Sequence, residues 1–179
     1  MKNLKFVLIA TTLLFTSTSA LSEWQADNSD DMELSVAQAI LKAKEKDETL
    51  ANWFTEAHAY AIYPKVGKGG IGIGGAHGKG IVIRGDETIA ETSLSQLTVG
   101  FQLGGQVYSE FIFFKDKAAL DNFARGNFEM SAQATAVALT AGASAETNYD
   151  GGVAVFTIAE GGLMYEASIG GQKFKYHAK

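Results

Sequence analysis

A glycine-rich run headed by the chain's single proline limits what this sequence can fold into more than any other feature. From Tyr60 to Arg84 the order is Tyr-Ala-Ile-Tyr-Pro-Lys-Val-Gly-Lys-Gly-Gly-Ile-Gly-Ile-Gly-Gly-Ala-His-Gly-Lys-Gly-Ile-Val-Ile-Arg. Successive side chains of an extended chain point to opposite faces, so Gly70, Gly72 and Gly74 fall on one face and Ile71 and Ile73 on the other. A face that bare packs nothing; it marks a bend, or the close approach of another backbone or a ligand. The segment therefore reads as strand in a sheet that must curve sharply. It is also a basic island. No Asp or Glu occurs between Ala57 and Gly85, whereas Lys65, Lys68, Lys79 and Arg84 lie inside it, in a chain of formal net charge -5. A basic island in an acidic chain is a candidate contact surface.

Two phosphate-binding motifs can be tested against the run. Gly70-x-Gly72-x-x-Gly75 has the spacing of the dinucleotide fingerprint, but a strand pattern follows where that motif must open a helix. Gly78-Lys79 lacks the upstream glycine of a P-loop, where Ile73 stands, and the following Ser or Thr, where Gly80 stands. Both fail. The run does resemble a known pattern: Tyr-Ala-Ile-Tyr-Pro, followed by Lys-Gly-Gly-x-Gly-Ile-Gly-Gly-Ala-x-Gly-x-Gly, is similar to the signature of the SYLF lipid-binding domain family. Gly100-Phe101-Gln102-Leu103-Gly104-Gly105-Gln106 resembles that family's Gly-x-Gln-x-Gly-x-Gln segment. The resemblance covers roughly 34–176.

The chain opens with Lys2 and Lys5, an apolar run from Phe6 to Phe15, and Thr18-Ser19-Ala20, the layout of a secretory signal peptide cleaved after Ala20. A membrane span needs about 20 apolar residues, which this run does not reach. Removing the leader takes the formal charge to -7. Without cysteine the mature protein depends on its apolar core. Residues 21–33 are acidic and polar and read as a flexible lead; residues 34–179 suit one domain.

Ser35-x-x-Gln38 reads as a capping box opening a helix with Val36, Ala39, Ile40 and Ala43 on one stripe. Leu50, Trp53, Phe54 and Ala57 mark a second helix or a continuation. After the island, 86–95 reads as a polar loop, then 96–103 and 106–114 as strands, with Glu110 at an outward position of the second. Asp116 caps a short helix ended by Gly126. Residues 132–137 and 141–145 read as extended, with a helix over 130–139 as the rival for the first. Paired glycines at 151–152, 161–162 and 170–171 then punctuate an antiparallel meander. The expected fold is α+β: a curved, barrel-like, glycine-rich antiparallel sheet with N-terminal helices and one short helix between strands. Gly70, Gly72, Gly74, Gly100 and Gly104 are its expected structural glycines.

Chemistry is sparse. His58, His77 and His177 show no metal-ligand spacing, and neither His-Glu-x-x-His nor Gly-x-Ser-x-Gly occurs, so neither an enzyme, nor a cofactor, nor a metal is expected. An acidic, exported chain is a poor nucleic-acid partner. The resemblance instead implies phospholipid or a membrane surface as partner, bound through basic residues and an amphipathic helix near the domain's start. Here those are Lys65, Lys68 and Lys79, with Arg84 of the same island, and the helix bearing Trp53 and Phe54. Glu45, Asp47, Glu48 and Glu56 beside that helix would oppose an anionic surface. The expectation is thus an exported, periplasmic lipid-binding protein of the cell envelope. The alternative is an envelope or stress protein that associates with a protein partner or a second copy through its glycine-rich sheet.

Overall fold

A computed structural model describes residues 23–71, 73–99, 104–126, 135–161 and 167–179. Helix α1, Asp31–Lys46, starts earlier than the capping box predicts. Asp30 is its N-cap, with its carboxylate accepting from the amides of Met32 at 2.8 Å and Glu33 at 3.0 Å. Asp31 and Glu33 in the first turn and Lys44 and Lys46 in the last complement the helix dipole. Ser35, already inside the helix, donates back to the Asp31 carbonyl, a bond open to any helical serine. From Glu23 onward the expected flexible lead is packed down: Trp24 is buried, and its indole N–H donates to Thr88 Oγ1 at 3.0 Å. A separate helix α2, Leu50–Glu56, follows.

Strands β1 (Ala59–Ile71) and β2 (Ile73–Arg84) form the glycine-rich hairpin. Pro64 has no amide to give, and a proline inside a central strand is tolerated only at a bulge. The register of β1 accordingly shifts between Ile62 and Lys65 toward one neighbour, and between Tyr63 and Val66 toward the other. Opposite the bulge, a Cβ on Gly80 would lie 2.1 Å from the Ile62 carbonyl oxygen, so this position admits only glycine. Toward the apex the glycines line up across three strands: Gly70 pairs with Gly74 and with Gly104, and Gly69 with Gly75 and Gly105. Gly100 and Gly72 fall outside the described residues, so their expected roles do too.

β3 spans Glu87–Val99 and occupies most of what the sequence suggests is a loop. Its buried positions are Ala90, Thr92, Leu94 and Gln96, two of them polar, which hides the alternation that would announce a strand. Gly85, at φ +62°, makes the turn from β2. β4 is Gly104–Phe114 and α3 is Lys117–Ala124, capped by Asp116 as expected. The rest of the chain comprises β5 (Thr135–Ala138), a 3-10 turn at Ala143–Glu146, β6 (Val153–Gly161), the two-residue β7 (Ala167–Ser168) and β8 (Gln172–Ala178). Residues 141–145, expected to be extended, form a turn and that 3-10 segment. Residues 135–138 are strand, not helix.

The sheet runs β5-β6-β4-β1-β2-β3-β8, with β7 beyond β5. It is mostly antiparallel, but β5 is parallel to β6, and β8 crosses to the far edge beside β3, so the final strands do not form the expected meander. Curvature is strong. β4 and β8 stand four strands apart, a separation of about 19 Å in a flat sheet. Yet Gln172 of β8 donates to Glu110 of β4 at 3.0 Å, and Tyr63 of β1 lies 6.0 Å, ring to ring, from Phe174 of β8. The curl nevertheless does not close into a barrel: both edges of β4 are taken, by β1 and β6, and none is left for β8. The concave side packs Tyr63, Tyr108, Ile112 and Phe114 with Phe123 of α3. The convex side packs Tyr60, Ile62, Phe111, Phe113 and Phe156 under α1 and α2.

Candidate functional site

The hairpin and α1 enclose a cleft of about 750 Å³. α1 contributes Ser35, Gln38 and Lys42, one helical stripe at spacings of three and four; β1 contributes Lys65 and β2 His77 and Lys79; Ser109 and Glu160 close the side. The bulge at Pro64 sets Lys65 directly opposite Lys79. Like charges facing each other across a strand pair are destabilising, so this arrangement costs stability unless an anion lies between them. Among the described residues one carboxylate, that of Glu160, lines the cleft, and it is held by Lys42 at 2.6 Å. The Ser109 hydroxyl lies 2.9 Å from the Pro64 carbonyl and 3.1 Å from Glu160, tying the bulge to the cleft wall.

The structure divides the other expected site residues. Lys68 points to the concave side, the opposite face from Lys65; burial lowers its pKa while the charge of Glu110 works the other way. Arg84 ends β2, opposite Glu87, beside Lys179 and Tyr176 in a separate depression. Trp53 and Phe54 face the sheet. The Trp53 ring is 5.1 Å from Phe156, and its N–H donates to the Ser144 carbonyl; Phe54 meets Phe113 edge-on at 5.0 Å. Asp47, expected to repel an anionic surface, is buried. Its carboxylate accepts from the amides of Thr49, Gly142 and Ser144 and from the Thr49 hydroxyl. Burial works to raise its pKa, but these bonds prevail and bring it down to about 2.

Sequence reasoning missed Lys42, whose signal is the polar stripe Ser35, Gln38, Lys42, and misplaced Glu110. That carboxyl is fully buried on the concave side, between Thr157 on β6 and Tyr63 on β1. Burial pushes its pKa up to about 7, against the hydrogen bond from Gln172 and the attraction of Lys68. Among the described residues no hydrogen-bond partner reaches its Oε1, Thr157 Oγ1 or Gln172 Oε1, three polar atoms left over on one buried face. Among the described residues no three His, Asp or Glu side chains converge as metal ligands would.

These features define a curled, open-sheet α+β domain with a lysine-bearing cleft between its first helix and its central hairpin. Residues 95–178 match the model of the Ysc84 family, described as Las17-binding protein actin regulator. Beta cell expansion factor A of Aeromonas veronii is 30% identical over 124 residues, covering 68% of this chain and 46% of that protein, so the chain spans just under half the length of this relative. Residues 95–178 thus belong to a SYLF (Ysc84) family domain. The block 100–106 lies within the matched stretch, while the hairpin and its lysines precede it.

Proposed function

We propose that the protein is an exported, non-enzymatic component of the cell envelope that binds anionic phospholipid by its headgroup in the cleft between α1 and the β1–β2 hairpin. The observation that carries this reading is the facing pair Lys65 and Lys79, with Lys42 and His77 bounding the same cleft. A lysine near an anionic surface contributes about 1 kcal/mol, so the facing pair supplies roughly 2 kcal/mol, some thirtyfold in affinity. Lys68 and Arg84, turned elsewhere, add only to the long-range field. The family's description names a protein partner, Las17; protein association is the competing reading, and salt separates the two.

The test uses protein recovered from outside the cytoplasm, its mass reporting cleavage after Ala20. It is floated with neutral and with phosphatidylglycerol-containing vesicles across a salt series. Binding should require the anionic lipid and weaken toward physiological salt, where the Debye length is about 8 Å. Lys65→Glu with Lys79→Glu should abolish it, while Lys68→Glu should leave most of it. Salt-independent flotation, or equal loss from the Lys68 variant, overturns the assignment.

A further inference from the structure

On the other flank of α1 lies a second cavity, of about 710 Å³, within the range of small-molecule pockets of roughly 300–1,000 Å³. Its wall is apolar: Trp24, Leu34, Ala37, Ile40, Phe54 and Tyr60. Leu41, at its lip, is 63% exposed and is one of two large apolar side chains left in solvent among the described residues. Among the described residues the rim holds no net charge, because Glu23 is paired with Lys44 at 2.5 Å and the remaining polar groups, Gln25, Asn28 and Thr55, are neutral. Leu41 adjoins Lys42, which lines the lysine cleft, so apolar groove and basic cleft meet across the crest of one helix.

We infer that this groove is a binding site for a single acyl chain, the tail of the lipid whose headgroup the lysine cleft takes. The inference rests on the lipid reading above and adds that a tail leaves the bilayer. A neutral rim gives a charged peptide nothing to pair with. A long apolar wall with an exposed leucine at the mouth suits a flexible hydrocarbon chain, and the shared crest lets head and tail sit on the two flanks of α1. Trp24 supplies a reporter inside the groove, whereas the other tryptophan, Trp53, packs on the sheet against Phe113 and Phe156.

Saturated fatty acids of eight to sixteen carbons, and a dibrominated stearate as quencher, are titrated into the full chain. Affinity should rise roughly fifteenfold for each two methylenes until the groove is full. The brominated chain should quench Trp24, a signal that survives Trp53→Phe and disappears in Trp24→Phe. Ala37→Phe, which narrows the groove without touching the lysines, should weaken chain binding at least tenfold while keeping the thermal midpoint and the salt-sensitive flotation. Equal affinity for short and long chains, an unquenched Trp24, or unchanged binding by Ala37→Phe overturns the inference. So does self-association that Ala37→Phe relieves, which would give the groove to a second copy. Flotation decides the headgroup cleft separately, so either site can fail alone.

Discussion

Replacing Glu110 by glutamine should make the protein more stable at alkaline pH, a result opposite in sign to the usual loss of a buried polar contact. Burial pushes the native carboxyl up to about 7 from the ordinary glutamate value of about 4.5. Between those two values the native state holds a proton that the unfolded chain has released, so stability falls as pH rises through that window and then levels off. At 1.36 kcal/mol per pH unit, the window of about 2.5 units corresponds to roughly 3 kcal/mol, present below pH 4.5 and lost above pH 7. Glutamine keeps the shape of the protonated acid and carries no charge to desolvate. Its amide N–H groups can turn to the Gln172 side chain, whose amide already meets residue 110 and whose Oε1 no described residue engages. Glu110→Gln should therefore match the parent near pH 5 and exceed it by up to about 3 kcal/mol at pH 8, which for a chain of this size is a shift of about 6–12 °C in thermal midpoint. Urea unfolding at half-unit steps from pH 4.5 to 8.5 reads both the gain and the loss of pH slope. A variant less stable than the parent at pH 8 would show that the buried carboxylate is stabilised there by Lys68 rather than penalised, and the reasoning from burial would be wrong.

Two further outcomes follow from the packing. Gly80→Ala should destabilise by at least about 1–3 kcal/mol, because the new methyl would meet the Ile62 backbone, which the bulge holds in place, rather than a movable side chain; an unchanged urea midpoint would show that the bulge yields. Asp47→Asn should loosen the 3-10 turn by removing a charged acceptor from four donors, and should remove a stability contribution of about 2 kcal/mol that the parent has above pH 4 and loses as pH falls toward 2. Acid unfolding of parent and variant reads it, and equal stability of the two above pH 4, or equal pH slopes between 4 and 2, would refute it.

The local half of this fold is legible in the sequence and the non-local half is not. Asp116 and Gly126 bracket α3, because caps are decided by a few adjacent residues; the glycine run announces curvature, but the reversal between Ile71 and Ile73 goes unannounced, because the alternation of glycine and isoleucine continues across it. The first part of β3, up to Ser95, escaped because the concave interior takes Thr92, whose Oγ1 lies 2.8 Å from the Tyr63 hydroxyl, while 96–99 were read as strand although Gln96 too is turned inward and donates to the Gly170 carbonyl. A strand whose inward side chains are polar carries no hydrophobic period. The crossing of β8 to the edge beside β3, and the parallel pairing of β5 with β6, depend on which edges earlier strands leave free, and no local signal encodes that.

The same logic explains how one basic island becomes three places. Lys65 and Lys68 are three residues apart, an odd spacing that sends two side chains of a strand to opposite faces. Arg84 is five residues beyond Lys79, again an odd spacing, and at the far end of its strand. Only Lys79 returns to Lys65, because the hairpin folds it back and the bulge at Pro64 sets the rung on which they meet. Glu110 was placed outward because a flat sheet offers its strand a solvent side. Once β8 and α3 curl over that side, both faces of β4 are interior, and the carboxyl has no outward position to take. Sheet curvature, which the glycines announce, is thus also what buries the one acid that the strand pattern could not explain.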